Sequence, residues 1–282
     1  MPFKALTLDL WLTLIWDSKE LEDYRKLRRL VNFYRFVNKV NSKRGIKADS
    51  AFTFNDVRLA IEELGKKSEK YYDRGMDPHP RERGRMLFEM LKIKVEKTDK
   101  PKVYESAGKV LSNSGYMRKY PHVNPEAKPT LKAFRKTYPN LKIALISNAA
   151  RSTATYKRTL SALGIGRYFD HFVISCEVGY LKPRKEIFQH ALELLDVKPQ
   201  EALHVGDLFR ADVVGAVSCG MNACLYSGLW TKYTQLQRMG SMPHWAGEHV
   251  PSDFKTPKGL IVKEIERLQD SLAVAKMVDR RS

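Results

Sequence analysis

Three carboxylates, a lysine and a hydroxyl stand at the ends of apolar runs in this chain. Asp9 closes the run containing Phe3, Ala5, Leu6 and Leu8. Ser147-Asn148 closes Leu141 to Ile146, and Gly206-Asp207 closes Ala202 to Val205. Lys182 lies in the loop Gly179-Tyr180-Leu181-Lys182-Pro183, and Asp212 follows Asp207 by five residues. A carboxylate at the end of a buried strand is costly unless it is paired. Asp9 and Asp207 brought together repel unless a cation lies between them. Oxygen-only ligands favour a hard ion, Mg²⁺ being the common choice beside phosphate. Lys182, Ser147 and Asn148 would then bind the outer oxygens of an anionic substrate. Asp9 could attack a phosphoryl group to form an acyl-phosphate, dividing one hard step into two. The rest would be positioning and charge stabilisation. Taken singly, each residue also reads as ordinary structure: Ser147-Asn148 as a helix cap, Lys182-Pro183 as a loop, Asp207 as a turn, Asp212 as an acid in a first helical turn. Their order along the chain, each at a strand end or in a loop, singles them out.

The elements that must position them follow from hydrophobic periodicity. From about residue 121 strands and helices alternate. Helices are expected through Leu131, Phe134 and Tyr138, through Tyr156, Leu160 and Leu163, through Ile187 to Leu195, and from Val213 to Gly220. Strands are expected at Leu141–Ile146, Phe172–Ile174, Ala202–Val205 and Asn222–Leu225. Leu260, Ile261, Ile265, Leu268 and Leu272 read as a terminal helix, and Lys276 to Ser282 as a frayed basic tail. Residues 228–257, with Trp230 and Trp245, read as irregular. Alternation of this kind implies an α/β fold with a doubly wound parallel sheet, whose ligands bind beyond the carboxyl ends of its strands.

Residues 17–120 differ. Strand-like runs disappear, and 26 Lys/Arg stand against 16 Asp/Glu, which accounts for +10 of the formal +18 charge. Four helices are expected. The first carries Leu27, Leu30, Val31, Tyr34 and Val37. The second starts at Thr53 with Asp56 three residues on. Asp77-Pro78-His79-Pro80 breaks the chain before the third, at Met86 to Leu91, and the fourth runs from Val103 to Leu111. The expected organisation is a Rossmann-like core of residues 1–16 and 121–282, interrupted by a helical domain at 17–120.

No apolar run approaches the ~20 residues of a membrane span. The segment MPFKALTLDL lacks the pattern of a secretory leader. Cys176, Cys219 and Cys224 show no metal-type spacing, and so sparse a count suits a reducing compartment. These features imply a cytoplasmic protein. The positive charge, with a pI near 9.7, fits small anionic substrates, an acidic surface or nucleic acid. No nucleic-acid motif accompanies it, and a solvated Lys/Arg-rich surface accounts for it equally. Oligomeric state is not legible.

The ordered motifs LTLDLWLTL, ALISN, GYLKPRKEIF and HVGDLFRADVVGA span residues 3–216. They resemble the four motifs of the haloacid dehalogenase (HAD) superfamily of hydrolases, and the insert is similar to that superfamily's helical cap. The resemblance implies that Asp9 is the nucleophile, Ser147 the phosphate-binding hydroxyl and Lys182 the charge-stabilising lysine. It implies that Asp207, with Asp9 and the backbone carbonyl of Trp11, binds Mg²⁺, and that Asp212 supports the lysine or a metal-bound water.

Two departures bear on the chemistry. Phosphatases of the superfamily usually read Asp-x-Asp-Gly-Thr, whereas this chain reads Asp9-Leu10-Trp11-Leu12-Thr13. The second Asp protonates the leaving alcohol and then activates water. The Trp11 indole can do neither, and such help is worth about 10²–10⁴-fold. Leu12 replaces a glycine at a tight turn. Three readings follow: a Mg²⁺-dependent phosphohydrolase suited to good leaving groups, a 2-haloacid dehalogenase-like carbon–halogen hydrolase, for which an aromatic at position 11 is usual, and a non-catalytic HAD-fold binding protein with a basic cap. Phosphonate hydrolases of the superfamily need a cap lysine, and none stands out here. Tyr24, Arg25 and Arg28 are the expected substrate contacts from the insert.

Overall fold

The computed structural model describes residues 2–42, 52–94, 99–113, 120–229 and 248–280. Its centre is a six-stranded, all-parallel sheet. The strands are β1 (Ala5–Leu8), β4 (Lys142–Ser147), β5 (His171–Ile174), β6 (Ala202–Gly206), β7 (Asn222–Tyr226) and β8 (Val262–Ile265), in spatial order β5-β4-β1-β6-β7-β8. Pleating sends alternate side chains to opposite faces. Leu6, Leu8, Ile143, Leu145, Leu203 and Val205 pack beneath α5 (Ala127–Thr137), α6 (Thr153–Ala162) and the terminal α10 (Ser271–Arg280). Ala5, Ala144, Ile146 and Ala223 pack beneath α8 (Lys185–Leu195) and the short α9 (Gly215–Ser218). A sheet buried on both faces needs near-continuous apolar strands, which is what the sequence supplies. A one-turn helix, α7 (Ser175–Val178), follows β5 directly.

Between β2 (Ile15–Trp16) and β3 (His122–Val123) the chain runs through α1 (Lys19–Ser42), α2 (Phe54–Tyr72), α3 (Pro80–Met90) and α4 (Lys100–Asn113). β2 and β3 pair antiparallel, so the segments entering and leaving the insert are tied together. The Trp16 and His122 rings stack at 4.3 Å beside them. Asn124 Nδ2 donates to Thr13 O at 2.8 Å and to Tyr226 Oη at 3.0 Å, pinning this neck to the core. The two-stranded neck was not legible in the sequence, because two residues per strand carry no period.

The insert has its own apolar cluster, including Phe33, Val37, Val57, Leu64, Phe88 and Leu111. Thr53 caps α2 reciprocally with Asp56: Asp56 N–H donates to Thr53 Oγ1 at 3.1 Å, and Thr53 N–H donates to Asp56 Oδ2 at 2.8 Å. α3 and α4 cross with almost no space between their backbones. A Cβ on Gly108 would lie 1.9 Å from Pro80 O, and one on Gly84 would lie 2.2 Å from Tyr104 O.

Three expectations are corrected. The apolar residues from Leu260 to Leu272 do not form one helix. Val262–Ile265 is an edge strand on β7, a 3₁₀ turn at Leu268–Asp270 follows, and the helix begins at Ser271. Five apolar positions over so short a span fit either period, and the unpaired edge of β7 selects strand. Lys276 to Arg280 is helical rather than frayed. The stretch from Val213 to Val217 is not a plain helix: a π-helical turn at Phe209–Val214 precedes Gly215–Ser218. Trp230 and Trp245 lie outside the described residues. No helix among the described residues is long and apolar enough to cross a membrane.

The glycine crossing yields a paired test. Gly108→Ala should lower stability by about 1–3 kcal/mol through overpacking. Gly65→Ala, in the interior of α2 with nothing within 4 Å of the added methyl, should raise it by about 0.5–1 kcal/mol. Thermal melts of both variants check the opposite signs.

Candidate active site

Sheet register decides which polar residues meet. Leu8 of β1 lies opposite Leu145 of β4 and Val205 of β6. Asp9 is one residue past that row, and Ser147 and Asp207 are two past it on either side. All three are buried at the carboxyl edge, and Asp9 N–H donates to Val205 O at 2.9 Å.

Lys182 arrives from a loop and completes the group. Its Nζ donates to Asp9 Oδ1 and to Asp212 Oδ1, each at 2.6 Å, and all three side chains are buried. Asp212 reaches the site because the widened turn after β6 folds it back, where Leu208 N–H donates to its Oδ2 at 2.9 Å. Gly206 permits the approach: a Cβ there would lie 2.2 Å from the Asp212 carboxyl carbon. His204 Nε2 contacts Asp212 Oδ1 at 3.0 Å, and its Nδ1 contacts Thr7 Oγ1 at 2.9 Å. Burial holds His204 below its usual pKa against the opposing pull of Asp212. A neutral ring beside an ionised Asp212 must carry its proton on Nε2, so Nδ1 accepts from the Thr7 hydroxyl. The result is a buried chain Thr7–His204–Asp212–Lys182–Asp9.

The two carboxylates sharing Lys182 are not equivalent. Burial raises the Asp9 carboxyl to about 6, with Asp212 adding to the rise and Lys182 opposing it. For Asp212 burial acts in the same direction, but Lys182 and His204 outweigh it and hold the carboxyl far below the usual range. Burial disfavours the Lys182 cation, and the two carboxylates more than reverse this. Asp212 is thus a permanent anion, while Asp9 lies near the point of ionisation.

Two contacts fix the Lys182 loop. On the core side Asn148 Oδ1 accepts from Lys182 N–H at 2.8 Å, and Asn148 Nδ2 donates to Lys182 O at 3.0 Å. On the insert side Asp77 N–H donates to Gly179 O at 3.0 Å, and Leu181 N–H donates to Gly75 O at 2.9 Å. Asn148 therefore holds the lysine's backbone. Ser147 differs: its Oγ is buried and has no hydrogen-bond partner among the described residues. An orphaned hydroxyl at such an edge marks a place where an acceptor is expected to bind.

Leu12 adopts φ +60° in the turn after Asp9, the left-handed conformation that glycine accommodates without strain. Trp11 packs against the apolar cluster on the α5 face, and so does Leu12. Of the residues expected to reach the site from the insert, Arg25 is buried and ion-paired with Asp17, whereas Tyr24 and Arg28 are half-buried.

The sequence profile of the haloacid dehalogenase-like hydrolases matches residues 3–220. The chain belongs to that family. Among its relatives, a glyceraldehyde 3-phosphate phosphatase of Methanopyrus kandleri is 31% identical, over 58% of this chain and 65% of that protein. One of the same description from Methanothermobacter thermautotrophicus is 34% identical, over 38% of this chain and 57% of that protein. The HAD chain thus spans less than two thirds of the length of these curated relatives. A solved 2-haloacid dehalogenase from Pseudomonas syringae shares the fold, with a TM-score of 0.60 at 20% identity over 98% of this chain and 99% of that one.

Sequence reasoning missed Thr7 and His204. The signal was present: two polar residues inside otherwise apolar strands, which register places directly opposite each other. It also missed Asp77 and Ser175, whose side chains hydrogen-bond across the boundary between insert and core.

A raised carboxyl pKa means that ionising Asp9 opposes folding. The folded chain binds more protons than the unfolded chain between about pH 4 and 6, so this contribution to stability falls as pH rises through that window. Without divalent ions, Asp9→Asn should be more stable than the parent above pH 7 by up to ~3 kcal/mol. The gap should close towards pH 4. Paired thermal melts in chelator across this range test it, and a gap independent of pH contradicts the assignment.

Proposed function

We propose that this HAD-family hydrolase is a Mg²⁺-dependent phosphohydrolase acting on a small phosphorylated substrate, with Asp9 as nucleophile and residues 17–120 as the cap over the site. The observation that carries the reading is the set of oxygen donors at the strand edge. Asp9 and Asp207 are buried at adjacent strand ends, the Ser147 hydroxyl is buried at the strand end on the other side of Asp9, and Lys182 bridges Asp9 and Asp212. The donors are all oxygens, as a hard ion requires. No group of three acidic, His or Cys side chains converges among the described residues. Mg²⁺ does not need one, since it commonly takes one or two carboxylates and keeps several waters. Asp9, Asp207 and the Trp11 carbonyl would hold the ion, which supplies Lewis-acid polarisation and charge neutralisation when bound. The phosphatase relatives support the same reading.

The residues divide the work. Lys182 and the unpartnered Ser147 hydroxyl bind the outer phosphoryl oxygens. Asp212 and His204 orient Lys182, and Asn148 fixes its backbone. An ionised Asp9 oxygen attacks phosphorus, the bond from phosphorus to the leaving oxygen breaks, and the leaving group departs with that electron pair. Water then attacks the phosphorus of the acyl-phosphate, releasing inorganic phosphate and restoring Asp9. Trp11 gives neither step a proton donor or acceptor. The reaction is therefore confined to leaving groups stable as anions, such as acyl and aryl phosphates.

The cytoplasm fits such an activity, and the basic surface fits anionic substrates. A carbon–halogen hydrolase is the second reading, favoured by the aromatic at position 11 and opposed by the excess of carboxylates. Halide release from a 2-haloacid that chelator does not affect would select it.

Two outcomes are expected. Phosphate release from an aryl or acyl phosphate should require Mg²⁺, stop in EDTA and fall at least about 10³-fold in Asp9→Asn. No release from any phosphomonoester, together with no Mg²⁺ binding, removes the reading. Trp11→Asp should restore the missing proton donor and raise turnover of alkyl phosphates relative to aryl phosphates by about 10²-fold or more. Comparing kcat for the two substrate types in both proteins measures it.

A further inference from the structure

The one-turn helix α7 stands between the insert and the two loops that carry Ser147 and Lys182. Three successive residues of it hold the loop that follows Ser147. Ala149 N–H donates to Ser175 Oγ at 2.8 Å. Cys176 Sγ donates to Arg151 O at 3.6 Å. Thr153 N–H donates to Glu177 Oε1 at 2.9 Å. Beyond α7 the chain runs through Gly179 and Leu181 to Lys182. A group that fixes α7 therefore acts on the Ser147 turn on one side and on the lysine loop on the other.

Asp77 of the insert grips this helix at both ends. Its Oδ2 accepts from Ser175 Oγ, at the first residue of α7. Its N–H donates to Gly179 O at 3.0 Å, just past the last. The Asp77 and Ser175 side chains are both buried. Asp77 Oδ1 accepts from Arg83 of α3. Arg83 also donates through Nε to Pro78 O at 3.0 Å and through Nη2 to Tyr72 Oη, at the end of α2, at 3.1 Å. The carboxylate is thus set from the insert by Arg83 and spends its other oxygen on the core.

The chemistry of the hydroxyl decides what this contact does. A serine hydroxyl has one proton and two lone-pair sites. With the proton committed to Asp77, a lone pair is left to receive Ala149 N–H. A carboxylate acceptor makes the bond charge-assisted and polarises the oxygen towards the second donor. Without Asp77 the proton can turn to Ala149 O, 3.4 Å from Ser175 Oγ, and the hold on the amide weakens. Ala149 follows Ser147 by two residues. It adjoins Asn148, whose side chain holds the Lys182 backbone.

We infer that Asp77 is a positioning residue: acting through Ser175, it holds the turn Ser147-Asn148-Ala149 in the form that receives an anion, and does so while the insert is seated on the core. This rests on the phosphohydrolase reading and deepens it. One carboxylate of the insert sets the anion affinity of a turn in the core, with α7 as the intermediary.

The test reads the turn and its affinity separately. Amide hydrogen exchange at Ala149 is followed by NMR in the full chain without ligand. Inorganic phosphate is titrated calorimetrically with Mg²⁺. Asp77→Ala should speed exchange at Ala149 and weaken phosphate binding, each by about tenfold or more. Ser175→Ala should do the same. The double variant Asp77→Ala/Ser175→Ala should be no worse than the worse single one, because the two side chains act as a unit. Asp77→Asn retains an acceptor oxygen and should recover part of both effects. Thr53→Ala removes the cap of α2, so it should lower the melting temperature and leave both readouts at the parent value. Where Asp77→Ala fails to fold because Arg83 loses its partner, Asp77→Ala/Arg83→Met removes the pair together and takes its place. Parental exchange at Ala149 in Asp77→Ala, additive losses in the double variant, or equal losses in Thr53→Ala overturn the inference and leave the phosphohydrolase reading standing. Faster exchange with unchanged phosphate affinity does the same. A parent that binds no phosphate and releases none from any monoester removes that reading and the inference together.

Discussion

One ammonium group shared by two buried carboxylates is the interaction on which the rest of this molecule turns. Lys182 lies 2.6 Å from both Asp9 and Asp212 at an edge from which water is largely excluded. A buried ammonium stripped of both carboxylates is far more costly than the set of three, and Asp212, held as an anion, remains to pair with Lys182 whatever the state of Asp9. Their mutual geometry forces others. Asp212 must turn back on itself, hence the widened π-helical turn and a glycine at 206. Its second flank needs a donor, which His204 supplies from within β6, held in turn by Thr7 of β1.

The same constraint binds the helical insert to the core. The loop that presents Lys182 is not fixed by the sheet. It is gripped by Asn148 on one side and by the segment Gly75–Asp77 of the insert on the other. A helical insert that contributes hydrogen bonds to the Lys182 loop cannot shift without disturbing the lysine. The neck formed by β2 and β3 ties the entry and exit of the insert together, and Asn124 fixes that neck to the core. Position of the insert and readiness of the site are therefore coupled through a few main-chain hydrogen bonds.

Buried carboxylates crowd the strand ends, with Asp9, Asp207 and Asp212 all at the carboxyl edge of the sheet. Trp11 and Leu12 stand apart from this pattern. They place apolar bulk where the superfamily's phosphatases commonly carry an acid and a glycine, and Leu12 is held at φ +60° by its surroundings.

Much of this was legible in the chain alone, because it depends on local order. Asp9, Ser147, Asp207 and Asp212 each follow an apolar run within a residue or two, or begin the next turn. A parallel sheet brings strand ends to one edge whatever the details of packing. The four helices of the insert and the Thr53–Asp56 cap are likewise local. Tertiary structure decided whatever depends on partners distant in sequence. Val262–Ile265 became a strand because β7 had an unpaired edge, not because its own period required it. Lys182 meets Asp9 across 173 residues, and no spacing rule announces a contact closed by a loop of that length. His204 reads as one polar residue in an apolar strand until register sets it against Thr7 and the turn brings Asp212 to its other side. Arg25 of α1 reads as solvated surface until the fold buries it against Asp17. Sequence fixes which groups are available and the period on which they recur, whereas the long-range closure of the chain determines which charges must share the same few ångströms.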